Sequence, residues 1–194
     1  MDGSSPLDGV PGFFKHSDGS YDFVNYNGFA IPVRDLSGRI QGLQIRLVNT
    51  NNENGKYRWF SSANISTGTG AKNFVHVVGT FNEEKYRRVF IIEGALKADI
   101  CSYLMDGELF IALPGVNNSH DEAVQIVKQL GLKNEVFIVF DNDIIEKKEV
   151  QEAYERLKKK FKNEGITAMR LAFNLNYKGY DDYLIAAKIK GECA

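Results

Sequence analysis

No run of about eighteen apolar residues and no charged-then-apolar opening occurs in the 194-residue sequence. The expectation is a soluble protein of the cytoplasm with no membrane attachment. Only two cysteines are present, Cys101 and Cys193, and neither has a CxxC or CxxH companion. That excludes a disulfide framework and a small zinc site, and it fits a reducing compartment. Charge of one sign is missing as well. Lys and Arg number 24 against 25 Asp and Glu, a net charge of −1, so no global basic field advertises a polyanionic partner. There is no GxxxxGK[ST] phosphate loop. What remains is a chain that is 43% hydrophobic, long enough to bury a core in one or two small domains.

The most informative stretch is Val89-Phe90-Ile91-Ile92-Glu93-Gly94-Ala95-Leu96-Lys97-Ala98-Asp99. Four consecutive apolar residues read as a strand buried on both faces, the kind found in parallel sheets. A carboxylate, a glycine and a helical pattern follow. Glu93 is thereby placed at the carboxyl end of a central strand, where open α/β sheets put their ligands. The arrangement recurs at Val136–Phe140, which runs into Asp141-Asn142-Asp143. If the two strands are neighbours, three carboxylates converge on one sheet edge. Like charges so placed call for a cation or a positively charged ligand.

In chain order, residues 1–19 are rich in Gly, Pro, Ser and Asp and read as a flexible lead-in. The opening has no evident start of its own, as in a piece of a longer protein. Residues 20–80 form a β-rich subdomain: a short strand at 21–24, then a hairpin of 28–34 and 39–48 around Asp35-Leu36-Ser37-Gly38. Its alternation turns Ile40, Leu43, Ile45 and Leu47 inward only with a bulge near Gly42. Asn49–Gly55 reads as a polar turn, 56–60 as a strand and 61–73 as a flexible loop. Between residues 31 and 75, six basic side chains face two acidic ones, with Tyr57, Trp59 and Phe60 among them. Phosphates and base faces of a single strand need such partners; a small sheet with a solvated outer face has the same composition.

From residue 81 onward, strands alternate with helices: 89–92, 95–105, 109–113, 121–130, 136–140, 146–163, 166–173 and 181–190. Repeated β-α units demand a mainly parallel sheet with crossovers. Asp141-x-Asp143 can offer oxygen ligands to one divalent ion, or can simply begin a helix with acids. Lys178-Gly179-Tyr180-Asp181-Asp182 ends the series. One of its acids either caps the last helix or joins the metal set while Lys178 faces phosphate. Lys97, one turn into the first helix, is a second candidate phosphate contact.

Together these residues resemble the TOPRIM domain shared by bacterial replicative primases, type IA and II topoisomerases and some nucleases. The similarity is closest to the TOPRIM-like domains of primase-helicase proteins of phages, plasmids and integrative elements. It is carried by EG-x-x-KAD (Glu93, Gly94, Lys97, Ala98, Asp99), LPGV (Leu113 to Val116) and KG-x-DD (Lys178, Gly179, Asp181, Asp182). It extends upstream through IPVRD-x-x-GRI-x-GLQIRL and YRW-x-SS. The sequence departs from typical primases after Asp143, where Ile144-Ile145-Glu146 replaces a longer acidic stretch.

The resemblance implies an α/β fold, a TOPRIM-like parallel sheet with flanking helices behind a β-rich N-terminal subdomain. It implies DNA primase-like nucleotidyl transfer, the primer-synthesis core of a mobile-element replication protein. Glu93, Lys97 and Lys178 would be catalytic. Glu93, Asp141, Asp143, Asp181 and Asp182 would hold Mg²⁺ or Mn²⁺. Arg34, Arg46, Lys56, Arg58 and Trp59 would bind nucleic acid. The implied partners are a single-stranded DNA template, nucleoside triphosphates and a helicase domain or subunit. The alternatives are a TOPRIM nuclease, a non-catalytic nucleic-acid-binding module of a larger replication protein, and a receiver-like α/β domain. None of the three histidines has an assigned role.

Overall fold

The computed structural model describes residues 5–48, 55–80 and 88–191. Cys193 and most of the turn expected over 49–55 lie outside them. The chain divides into two compact units, Met1–Val33 with Ile40–Asn73, and Arg34–Arg39 with Phe74–Ala194.

The first unit is built from two small sheets. Strands β1 (Phe13–Lys15) and β2 (Tyr21–Phe23) pair antiparallel. Strands β3 (Gly28–Arg34), β4 (Ile40–Leu47) and β5 (Tyr57–Trp59) form a three-stranded sheet in that order. Within the expected lead-in, β1 brings Phe13 against Phe23 and Phe60, ring centroids 6.1 and 5.8 Å away. Ile40 is 56% exposed while Gln44 and Ile45 are both buried, so Ile40 does not join an inward row.

The 61–73 loop is also more tightly held than its composition suggests. Ser62 is 1% exposed. Its hydroxyl donates to Phe13 O at 2.6 Å and accepts from the Thr69 N–H at 2.8 Å. Ser62→Ala removes both bonds and leaves half-buried backbone groups without them, a cost of about 1 kcal/mol. Native-state hydrogen exchange should show the Thr69 amide losing protection; unchanged protection would mean the loop is held by other contacts.

The second unit is a five-stranded sheet in the order β10-β9-β7-β8-β6. Its strands are β6 (His76–Val78), β7 (Val89–Glu93), β8 (Leu109–Leu113), β9 (Val136–Val139) and β10 (Ala168–Arg170). Strand β7 lies at the centre, parallel to both β8 and β9. Strand β10 is parallel to β9, and β6 runs antiparallel along β8.

Helices α1 (Ala95–Leu104), α2 (His120–Gln129), α3 (Lys148–Asn163) and α4 (Tyr180–Lys190) cover the sheet on both faces. Val89 and Ile91 pack with Ala123, Val127, Leu157 and Phe161 of α2 and α3. Phe90 and Ile92 pack with Ala98 and Cys101 of α1 and with Tyr180 and Leu184 of α4. A strand covered on both sides has no polar face to show, which is why its sequence is an unbroken apolar run. On the α1/α4 side Phe90 stacks between Phe110 (4.8 Å) and Phe137 (5.6 Å), joining three strands. Cys101 is a buried free thiol whose pKa burial pushes up, so it behaves as a small apolar core residue. Among the described residues no helix is long and apolar enough to cross a membrane.

Candidate active site at the carboxyl edge of the sheet

The register explains how residues far apart in sequence meet. Ile92 of β7 is paired with Val139 of β9, so Glu93 and the Phe140-Asp141 step leave the sheet side by side. The chain then turns sharply at both places. Gly94 has φ +91°, a conformation that glycine adopts without strain, and this lets α1 start directly behind Glu93. Asp141 is followed by a 3₁₀ turn, Asn142–Ile145, which precedes α3 and shortens the helix expected from 146.

Lys97 lies in the first turn of α1 and reaches across to β9. Its Nζ is 2.5 and 2.6 Å from the two carboxylate oxygens of Asp141. The side chains are 28% and 11% exposed, so water screens this pair only partly. Burial works against the Lys97 charge, but Asp141 outweighs it, and the ammonium holds its proton more tightly than an ordinary lysine. Glu93 is shifted up, first by burial; Lys97 opposes that shift, and the nearby Asp141 and Asp143 add to it. Asp143 receives a 2.8 Å bond from Lys147.

The C-terminal motif is organised by its glycine. A Cβ at Gly179 would collide with Asp181 Oδ1, so only glycine allows Asp181 to fold back at the start of α4. That Oδ1 is buried without a hydrogen-bond partner, and burial raises the Asp181 pKa. Asp182 is exposed, and its Oδ2 accepts from the Gly179 N–H at 3.4 Å. Lys178 is exposed, and its charge is felt at Glu93.

Two residues that the sequence reading left without a role hold this edge together. The Asn142 N–H donates to Lys178 O (2.9 Å), and its Nδ2 donates to Asn174 O (3.2 Å) and Tyr177 O (2.9 Å). The middle residue of Asp-x-Asp is therefore a staple between two loops, and nothing in its spacing announces it. His76 is 1% exposed. Its Nδ1 accepts from the Arg34 N–H at 3.0 Å, and Nε2 faces Asp99 Oδ1 at 3.0 Å. An accepting Nδ1 assigns the proton to Nε2, so a neutral ring donates to Asp99. Asp99, the last residue of EG-x-x-KAD, thus anchors α1 to β6.

The carboxylates are the right chemistry for a hard divalent cation, and the orphaned Asp181 Oδ1 is a donor in want of a partner. Among the described residues, though, no three His, Cys, Asp or Glu side chains are grouped closely enough to form a ready cage. The donors are of the chemical type such an ion takes, and one of them, Asp141, is engaged by Lys97.

The five candidate nucleic-acid contacts are not brought to one surface. In β4 and β5, Arg46 pairs with Tyr57 and Gln44 with Trp59, whereas Arg58 pairs with Ile45. By the pleat, Arg46, Tyr57 and Trp59 share one face while Arg58 points to the other, and Lys56 lies just ahead of β5. Arg46 lies over the Tyr57 ring at 5.6 Å and donates to its hydroxyl at 3.0 Å. Arg34 belongs to the second unit, where its Nη1 donates to Gly38 O.

The whole chain is similar to solved primase structures. It aligns with the Aquifex aeolicus primase zinc-binding and RNA polymerase domains at 16% identity and TM-score 0.64, over 96% of this chain and 44% of that one. It aligns with the DnaG primase catalytic domain bound to ssDNA at 16% identity and TM-score 0.63, over 98% and 57%. A DNA primase domain from Pseudomonas aeruginosa gives 15% identity and TM-score 0.61, over 96% and 56%. The chain thus spans about half the length of these structures. At such identities the likeness shows the fold: an α/β primase-core architecture with small antiparallel sheets ahead of a mostly parallel one. No curated protein matches the sequence. A family model, the domain of unknown function DUF3854, matches residues 80–190. That span takes in β7 through α4 with Glu93, Lys97, Asp141, Asp143 and Lys178, and so the chain belongs to the DUF3854 family.

Proposed function

We propose that this chain is the nucleotidyl-transfer core of a primer-synthesising replication protein of a mobile element, acting on a single-stranded DNA template with nucleoside triphosphates. One observation carries the reading: Glu93, Asp141 and Asp143 stand with Lys97 and Lys178 at the carboxyl edge of a parallel sheet whose fold is that of primase cores. Glu93, Asp141 and Asp143, with Asp181 or Asp182, would hold Mg²⁺ or Mn²⁺. When bound, the ion would neutralise charge on a triphosphate and polarise the reacting phosphoryl group. In place of holding the ion, Glu93, whose pKa burial raises, would take the proton of an attacking 3′-hydroxyl. Lys97 and Lys178 would hold phosphate oxygens. On the first unit, Arg46, Tyr57 and Trp59 offer one charge and two rings to a single strand, and Lys56, Arg58 and Arg34 offer charge elsewhere. A helicase would be the partner that supplies that strand.

The test is primer synthesis on single-stranded templates with labelled nucleotides, with Mg²⁺, with Mn²⁺ and with EDTA. Elongated products that disappear in EDTA are expected. Shortened template would identify a nuclease. A second reading, the non-catalytic binding module, is favoured by the direct neutralisation of Asp141 by Lys97. It requires strand binding that persists in EDTA with no product at all.

Arg46→Ala should weaken single-strand binding and reduce the slope of log K against log salt by about 0.7, the share of one phosphate contact. A slope unchanged in fluorescence-anisotropy titrations would remove Arg46 from the strand path.

A further inference from the structure

We propose that Lys97 is a built-in cation that competes with a divalent ion for Asp141 and thereby sets how tightly this edge takes up metal. The inference rests on the reading of Glu93, Asp141 and Asp143 as a metal-holding set. A carboxylate can coordinate an ion only through oxygen lone pairs. Lys97 Nζ lies at 2.5 and 2.6 Å from both oxygens of Asp141, so the inner coordination directions of that group are occupied by an ammonium. Asp141 has little freedom to offer another side, since its side chain is 11% exposed. It is also followed at once by Asn142, whose bonds to Lys178 O, Asn174 O and Tyr177 O hold the loop.

Lys97, in contrast, can move. It sits on a four-carbon stem in the first turn of α1, is 28% exposed, and its charge is also attracted by Asp181 and Glu93. Its displacement from Asp141 leaves it among other carboxylates, and Asp181 Oδ1 stands buried without a hydrogen-bond partner. The ammonium therefore has somewhere to go on the same edge. In the absence of metal it neutralises Asp141; once released, it is a phosphate-facing cation. Uptake of the ion and presentation of Lys97 to a triphosphate are one exchange.

The experiment is a Mn²⁺ titration of the full chain, following the paramagnetic resonance signal of the free ion. The proteins are the wild type, Lys97→Met, Lys97→Gln, Lys97→Arg and the Lys97→Met/Asp141→Asn double variant. Both uncharged Lys97 variants should bind Mn²⁺ about tenfold or more tightly than the wild type, because a unit charge beside the site is gone. The arginine variant should stay near the wild type, and the double variant should lose the gain. If the wild type binds and the uncharged variants bind equally or more weakly, the competition is overturned while the metal-dependent reading stands. If no variant binds Mn²⁺, both fall. Carrying two uncharged side chains keeps the result decisive should one fail to fold.

Discussion

Glu93→Gln is expected to melt at a higher temperature at neutral pH and to lose nearly all of the proposed nucleotidyl transfer. Glu93 carries a charge in a place that disfavours it: burial is the main cause of its raised pKa, Asp141 and Asp143 add to it, and Lys97 offsets only part. A carboxyl whose folded-state pKa lies above the ordinary 4.5 favours the folded state only while protonated. Its contribution is complete in acid below the unfolded value and is lost as pH rises through the folded one. Glutamine is the neutral isostere and does not suffer that loss. The two proteins should melt together near about pH 4 and separate above it, with a gain of about 2–4 °C at neutral pH. Transfer should fall by about 10²–10⁴, the usual share of a general base. Calorimetric scans across pH, with primer assays alongside, check both halves. Destabilisation at neutral pH would show that the carboxylate is held favourably, and the proton-acceptor role would go with it.

Asp141→Ala acts in the opposite sense on stability. It removes a carboxylate that the proposed transfer reaction would need, for an expected loss of about 10³. It also takes away the carboxylate that Lys97 contacts, leaving the half-buried ammonium only the attraction of Asp181 and Glu93. Breaking a fully buried pair costs about 3–5 kcal/mol. With Lys97 28% exposed, about 2–3 kcal/mol is the fitting expectation, read as a fall in the urea midpoint at constant slope. Adding Lys97→Met to Asp141→Ala should restore most of the stability and none of the activity, the signature of a pair coupled to each other. Independent, additive losses would mean that the ion pair contributes nothing to the fold.

The central half of the molecule was legible because its physics is local. The runs 89–92, 109–113 and 136–140 are continuous and apolar, and α2 and α3 show the stripe that they bury: Ala123, Val124 and Val127 in one, Val150, Tyr154, Leu157 and Phe161 in the other. The strand end that carries Glu93 followed from the same pattern. The misses lie where structure depends on distant partners. Strand β6 has only three residues and exists because β8 offers it an edge. The final strand is Ala168–Arg170 rather than 166–173 because it pairs only along β9. Phe13 is held by rings ten and 47 positions away. The contact of Lys97 with Asp141 spans 44 residues, a separation that no periodicity encodes. The division of Trp59 from Arg58 was readable, since a strand alternates its faces, but the pairing that puts Arg46 on the Trp59 face comes from the β4–β5 register.

Asn142 has a consequence for how members of such a family can exchange parts. Its three bonds tie residues 174–178 to the Asp-x-Asp turn, so the two segments are a single structural block although 32 positions separate Asn142 from Asn174. A chimera that imports one segment without the other inherits mismatched halves, with Asn142 facing foreign carbonyls and Lys178 displaced from the acids. Grafts that move 141–145 and 171–179 together keep the block intact. Recombination within this fold is expected to respect that pairing, and loop transplants intended to retune the site should be designed as pairs.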